Sequence, residues 1–238
     1  MPGALCQEFL SGTEYVVDGV SRDGHYKVVA IWEYDKRSVN GANFVYFGMK
    51  LRDARDPDMQ ALIKYAQQVA ATLKIYQGPS HMEVMLDSYM MNGHRHYDAC
   101  LVEVGARCHG GEGTWLPVVN ECIGYSQVEM TLSCYLRPDR FEAIPAQPIL
   151  QNHGCEAFLV SYKSGVILDI PGIDAIRELP SFRRLEMLTQ PGASIRPTID
   201  CFTRPGSVQM VNKSADALQR DYDAIRKLEH DGLLVLQD

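Results

Sequence analysis

The chain has 238 residues, 46% of them hydrophobic, and a formal net charge of −7. That is enough apolar sequence for a substantial core, and the acidic balance argues against a nucleic-acid partner. No apolar run is long enough to span a bilayer and no charged-then-apolar leader opens the chain; seven scattered cysteines without a C-x-x-C pair argue for reduced thiols in a cytoplasmic setting rather than disulfides or zinc.

In chain order, Thr13–Ser21 reads as a strand, Arg22-Asp23-Gly24 as a turn, and Tyr26–Trp32 as the returning strand of a hairpin. Glu33–Ala42 is polar, ends in Asn40-Gly41 and reads as a loop before an aromatic-rich strand over Asn43–Leu51. A capping Asp56, Pro57 in the first helical position, and Met59, Leu62, Ile63, Ala66, Val69, Ala70 and Leu73 at helical spacing predict a helix. Gly78-Pro79 stops the chain before the strand-like run His81–Leu86. A polar connector with Asn92-Gly93 leads to a second run, Leu101–Arg107, and Gly110–Gly113 is expected to open one long helix over Thr114–Leu136. Pro138, Pro145 and Pro148 mark a boundary. Beyond it, Ala157–Tyr162 and Gly165–Ile170 read as a hairpin, a short helix follows Pro171, and strand-like runs flank Pro197 and Pro205-Gly206. Ser214 caps a last amphipathic helix ended by Gly232.

Each middle strand carries one acid in an apolar run, Glu83 and Glu103. A buried carboxylate needs a partner, and two on neighbouring strands repel unless a cation stands between them. Two readings follow: acids paired with Arg or Lys inside a core, or hard oxygen ligands holding Mg²⁺ against nucleotide phosphates. Arg107 is either the partner of a nearby acid or an arginine that neutralises a phosphoryl group or grips a carboxylate bidentately. The glycines after it permit close backbone approach, and a helix start offers N–H groups to an anion. Gln7–Glu14 reads as an edge strand and turn, or as a hinge against a purine edge with Glu14 accepting from ribose hydroxyls. His81 and His109 are hydrogen-bonded structural histidines or substrate contacts; His94 and His96 read as solvated, Met90-Met91 as core. No cysteine has a histidine and acid in a nucleophile pattern.

Together, QEFLSGTEYVVD, GPSHMEVML and CLVEVGARCHGG resemble the carboxyl-terminal half of the ATP-grasp carboxylate–amine ligases, with the L-amino acid (dipeptide) ligases nearest. The likeness covers Gln7–Leu136, and the remainder is similar to the small domain that caps such ligases. By this resemblance Gln7, Glu8 and Leu10 meet adenine, Glu14 meets ribose, Glu83 and Glu103 hold Mg²⁺, and Arg107 stabilises acyl-phosphate chemistry. Asp35-Lys36-Arg37 falls in a loop facing the substrate.

The resemblance implies an α/β (α+β) fold. An antiparallel-rich sheet with flanking helices, the ATP-grasp C-terminal subdomain, would span residues 1–136, and a small α/β domain 137–238. It implies ATP and Mg²⁺ as cofactors and small-molecule carboxylate and amine substrates, amino acids among them, joined through an acyl phosphate. It implies neither nucleic acid nor membrane as partner, and an upstream half or a second copy as one. Gly105 stands where many members carry Asn. The family's phosphate loop and ATP-binding lysines belong ahead of the hinge. A truncated enzyme and, as the alternative, a non-catalytic remnant or subunit with weak or no nucleotide binding both stay open.

Overall fold

β-Branched and aromatic residues near the start of the chain favour a pleated, half-buried surface, and they form a meander of β1 (Thr13–Arg22), β2 (His25–Val39) and β3 (Ala42–Leu51). Helix α1 (Pro57–Thr72) follows, then the long hairpin β4 (Gly78–Met91) and β5 (His94–Gly105). The computed structural model describes residues 3, 4 and 6–237; Met1, Pro2, Leu5 and Asp238, which the expected domain ranges include, lie outside the described residues. Three short helices come next: α2 (Leu116–Cys122), α3 (Gln127–Leu136) and α4 (Pro138–Ala143). The rest is β6 (His153–Phe158), β7 (Gly165–Asp169), α5 (Gly172–Arg177), β8 (Phe182–Met187), β9 (Ser194–Ile195), β10 (Gly206–Asn212), α6 (Ala215–His230) and β11 (Val235–Leu236).

Eight strands form one antiparallel sheet in the order β5-β4-β1-β2-β3-β6-β10-β8, and β11-β7-β9 form a second, small sheet. The large sheet runs on past Leu136, because Gly48, Met49 and Lys50 of β3 pair with Ala157, Glu156 and Cys155 of β6. Helix α1 lays Met59, Leu62, Ile63, Ala66 and Ala70 against Val17, Ile31, Met82 and Val84. On the opposite face, Trp115, Val118 and Val119 cover Val16, Trp32 and Met49, and α3 and α4 bury Val20 and Val29. Helix α6 packs against β6 and β10. Its Arg226 donates to the carbonyls of Phe47 and Phe158, both at 3.0 Å, so one side chain grips both sides of the β3–β6 seam.

Several local expectations change for identifiable reasons. The polar stretch read as a loop at Glu33–Ala42 continues β2 as far as Val39, because its charged residues are satisfied: Lys36 by Glu14 of β1, Arg37 by Asp35 within β2, the rest at half-exposed positions. Only Asn40-Gly41 turns; the pair has φ of 54° and 80°, like Asn92-Gly93 at 53° and 78°, both suited to two-residue hairpins. Asp56 precedes α1 but its carboxylate meets Arg52 at 3.2 Å instead of capping. The long helix breaks at Gly124 (φ 94°), and Ser126 with Glu129 recaps α3 in a capping box. The hairpin expected over Ala157–Tyr162 and Gly165–Ile170 does not form. The Val160 N–H donates to Glu229 (2.8 Å) and the Ser161 N–H to Thr198 Oγ1 (2.9 Å), so side chains take the donors a partner strand would use. Met90 and Met91, read as core, are exposed near the tip of the β4–β5 hairpin. No helix among the described residues is long and apolar enough to cross a membrane.

The seam tolerates little added volume. A Cβ on Gly48 would lie 2.7 Å from the Glu156 carbonyl oxygen and 2.9 Å from Tyr222 Oη. Gly48→Ala is expected to lower stability to urea by about 1–3 kcal/mol through overpacking; an unchanged unfolding midpoint would show that the seam has slack.

Candidate functional site

Successive strand residues point to opposite faces, and this alternation assembles the site. On the face away from α1, β1 presents Glu14, Val16 and Asp18. Their β4 partners are Met85, Glu83 and His81, and Val16 pairs with Trp32 on the other side. Glu83 pairs in turn with Glu103 of β5, with a bulge at this point, while Met82 and Val84 face the α1 core. The two acids singled out from the sequence are therefore direct cross-strand neighbours on one face, where opposed side chains stand about 5 Å apart at Cβ.

Their surroundings differ. Glu83 has 16% of its side chain exposed, accepts from Tyr34 Oη at 3.2 Å and lies 3.7 Å from His81 Nε2. Glu103 lies on the edge strand, is exposed, and has no side-chain hydrogen bond or ion pair among the described residues. Neither acid is paired with Arg or Lys among the described residues. Glu83 faces the His81 imidazole, Glu103 faces no cationic side chain among those residues, and two carboxylates so placed offer the oxygen donors a hard divalent ion takes.

A cleft of about 550 Å³ is lined by Phe9, Leu10, Glu14, Lys36, Phe44 and Met85; the same six residues, with Gln7, Glu8 and Glu83, line an adjoining space of about 240 Å³ that brings it to the first acid. Gln7 and Glu8 are exposed and Leu10 is half-buried; Gln7 Nε2 donates to the Val102 carbonyl at 3.4 Å, which ties this irregular segment to β5. Glu14 is clamped by Lys36, whose Nζ lies 2.7 Å from both carboxylate oxygens. Lys36 also sits over the rings of Tyr34 (4.8 Å) and Tyr46 (4.4 Å). Burial opposes its charge, but the bond to Glu14 prevails and raises its pKa. Lys36 was legible only as part of a polar loop; its place in the strand puts it in the site.

Arg107 lies beyond β5, exposed, with Nη1 donating to the Cys108 carbonyl at 3.0 Å. It folds over Gly105, where an added Cβ would sit 3.2 Å from its Cγ. The helix start expected beside it is displaced. Gly111–Gly113 make a single 3-10 turn with Glu112 at φ 56°, and α2 begins only at Leu116. Thr114 Oγ1 (2.9 Å) and Trp115 Nε1 (2.8 Å) donate to the carbonyls of Gly111 and Gly110 and hold this turn.

Beneath the acids lies a buried group that sequence reasoning missed, Asp18. One carboxylate oxygen bonds His81 Nδ1 at 2.8 Å; the other bonds His109 Nδ1 at 2.8 Å and accepts from Trp32 Nε1 at 3.1 Å. Burial alone would raise the Asp18 pKa, but His109 and His81 hold it well below the usual carboxylate range. Burial likewise opposes charge on His81, yet hydrogen bonds to Asp18 and Glu83 lift it to about 9. Asp18 lies inside the strand expected over Thr13–Ser21, and the only hint of its role was an acid among valines with two histidines elsewhere. His94 is exposed and His96 stacks on Tyr89 at 5.7 Å; both lie in β5 rather than in a loop.

A second cleft, of about 210 Å³, lies on the other side of Glu83 and Tyr34. Arg107, Gly110 and Gly111 line it from one side, and Glu156 and Arg204 from the other.

The chain is similar to known proteins over nearly its whole length. The family described as L-amino acid ligase C-terminal domain 2 matches residues 157–228. Dapdiamide A synthase of Enterobacter agglomerans is 29% identical over 234 residues, 95% of this chain and 51% of that protein. The L-amino acid ligase from Bacillus licheniformis superposes with a TM-score of 0.75 at 22% identity, over 97% of this chain and 55% of that one. Phosphoribosylglycinamide synthetase from Anaerococcus prevotii superposes with a TM-score of 0.70 at 14% identity, again over 97% and 55%. The chain thus spans about half the length of the relatives it matches.

The Asp18 cluster makes stability depend on pH. His81 binds its proton more tightly folded (about 9) than at the ordinary 6.5, so its contribution is full below pH 6.5 and is lost as pH rises through 9. The Asp18 contribution runs the other way, full above its ordinary 3.8 and lost in acid. In magnesium-free buffer, urea unfolding should show stability falling between pH 6.5 and 9 by on the order of 3 kcal/mol, and much less in Asp18→Asn. Equal slopes in the two proteins would refute the pairing.

Proposed function

We propose that this chain, whose sequence and fold are those of the ATP-grasp carboxylate–amine ligases, takes part in ATP-dependent amide formation through an acyl phosphate. The observation that carries the proposal is the register pairing of Glu83 with Glu103 on the one sheet face that joins the two clefts. In this reading the larger cleft takes the nucleotide. Gln7, Glu8 and Leu10 border the adenine, and Glu14 meets the ribose from its clamp on Lys36. Met85, two residues beyond Glu83 on the same face, provides an apolar floor. Residues 1–136 then carry nucleotide and metal, and residues 137–238 close the substrate side.

Glu83 and Glu103 would hold Mg²⁺, which when bound screens phosphate charge from an attacking carboxylate. The reaction has two steps. A substrate carboxylate oxygen attacks the γ-phosphorus and ADP leaves. An amine then attacks the acyl-phosphate carbonyl and phosphate leaves, giving the amide. Arg107 offers a fork of N–H donors to the charge on the transferring phosphoryl group and on the tetrahedral intermediate. Tyr34 fixes the Glu83 carboxylate; burial, with Glu83 beside it, pushes the phenol well above its ordinary pKa, so it stays a donor. Asp18 fixes His81, whose Nε2 faces Glu83. The free thiols of all seven cysteines accord with a reducing, cytoplasmic setting.

Mg–ADP is expected to raise the melting temperature of the chain. Glu103→Gln and Glu83→Gln should each abolish that rise, whereas Glu178→Gln, remote from both clefts, should keep it. An unaltered rise in Glu103→Gln would remove that residue from the site. ADP release with mixed amino acids and Mg²⁺, measured for the chain alone and with an upstream half added, separates an enzyme from a non-catalytic subunit. Wherever turnover is found, Arg107→Ala should lower kcat by about 10²–10³-fold, the usual cost of losing a transition-state donor, and Gly111→Trp should raise KM for large substrates far more than for small ones. An Arg107→Ala enzyme with normal kcat would exclude the arginine from the chemistry.

A further inference from the structure

The register that aligns Glu83 with Glu103 also draws a second row of residues across the sheet. Tyr34 pairs with Met49, Met49 with Glu156, and Glu156 with Gln209. Cross-strand partners share a face, so Glu156 and Gln209 stand on the same face as the candidate metal acids, Glu156 two strand spacings, about 10 Å, from Tyr34 and Gln209 one spacing farther. Their neighbours Cys155, Ala157, Val208 and Met210 take the opposite face and pack on α6.

Glu156 is fully buried, yet only one of its oxygens is satisfied. Oε1 accepts from Gln209 Nε2 at 3.0 Å, while Oε2 has no hydrogen-bond partner among the described residues. Gln209 cannot serve both oxygens, because its amide also donates to Ser207 Oγ at 3.0 Å. A carboxylate oxygen kept from water without a donor carries a cost of about 1–3 kcal/mol or more, and Glu156 lines the smaller cleft. Arg204 lines the same cleft. Its guanidinium is held 4.5 Å above the ring of Phe158, two residues along β6 from Glu156, and its Nε also lacks a partner. The loop that carries it is braced: Thr203 Oγ1 bonds Asp200 Oδ1 at 2.9 Å, and Asn40 Nδ2 reaches across from the β2–β3 turn to the Thr198 carbonyl at 2.8 Å. Among the described residues, no ion pair within 4.0 Å joins Arg204 to Glu156. Two opposite charges thus face one small cleft, each with an unused hydrogen-bonding atom, and neither cancels the other.

That arrangement is complementary to a zwitterion. We propose that Glu156 and Arg204 form an amino-acid subsite, Glu156 receiving the ammonium group and Arg204 the carboxylate of a free α-amino acid. An ammonium group brings three donors to the unsatisfied oxygen, and a guanidinium matches a carboxylate in geometry. The assignment rests on the ligase reading of this cleft, takes amino-acid substrates from it, and adds the two residues, from the second half of the chain, that would hold one.

The test is direct binding to the full chain, by calorimetry or saturation-transfer NMR, with and without Mg–ADP. The probes are L-alanine and L-methionine, each compared with its N-acetyl form and its amide. Free amino acids should bind at least about tenfold more tightly than either blocked form. Glu156→Gln keeps an acceptor for Gln209 but removes the charge; it should weaken free amino acids about tenfold or more while leaving Mg–ADP binding unchanged. Arg204→Gln should weaken the free acids but not the amides. Three results would each overturn the proposal: no probe binds the unaltered chain, blocked and free forms bind equally, or Glu156→Gln binds free amino acids as the parent does. The blocked-ligand comparison uses the unaltered chain, so it decides even where a variant fails to fold. Amino-acid discrimination without Mg–ADP binding would sink the nucleotide reading and leave this subsite standing; the converse would sink the subsite alone.

Discussion

Antiparallel register is the constraint on which everything else in this molecule depends. Side chains alternate with a period of two, so fixing one pair of partners fixes which groups share a face for the whole length of both strands. Here the apolar members, Val17, Ile31, Met82 and Val84, bind the sheet to α1. That choice turns Asp18, Tyr34, His81 and Glu83 toward the opposite side. Burial of the hydrophobic set therefore positions the polar one, and no separate device is needed to gather the acids.

The polar face is stable because its charges are arranged in small satisfied groups. Asp18 would be costly in a core by itself; two imidazoles and an indole N–H close its lone pairs. Lys36 and Glu14 neutralise each other between two tyrosine rings. Open groups remain at the sites: Glu103 on the edge strand, Arg107, and the pair contributed by β6 and the Arg204 loop, while a few buried atoms elsewhere, Arg226 Nε and Glu229 Oε2 among them, also lack a partner among the described residues. Where such open groups line a cleft, a ligand can supply the missing partner.

Much of this was legible in the sequence, for physical reasons that can be named. The helix at Pro57–Thr72 has an N-terminal signal and a one-sided apolar stripe, and Asn-Gly pairs mark both hairpin turns in which they occur. Glu83 and Glu103 stood out because a carboxylate in an apolar run is conspicuous. Asp18, Lys36 and Glu156 were not conspicuous. Lys36 lay in a polar stretch that resembles a loop, and Asp18 and Glu156 acquire meaning only through partners that β-pairing brings from distant parts of the chain. The hairpin expected of β6 and β7, which does not form, has the same origin: Glu229 and Thr198 divert the backbone donors just beyond β6, and local propensity carries no trace of them. Nor did propensity reveal the break at Gly124, where a capping box restarts a helix that composition alone would have continued.

The β3–β6 seam has a consequence for how such a chain can change length. Only three residue pairs join the two halves of the sheet there, and Glu156 is the middle one on its side. Adding or removing a single residue within β6 ahead of Glu156 would exchange the two faces, sending the glutamate into the oily layer under α6 and a cysteine into the cleft. Changes of one residue are therefore confined to hairpin tips and connecting loops, and lineages descended from such a chain should vary freely in loop length while keeping the parity of their strands.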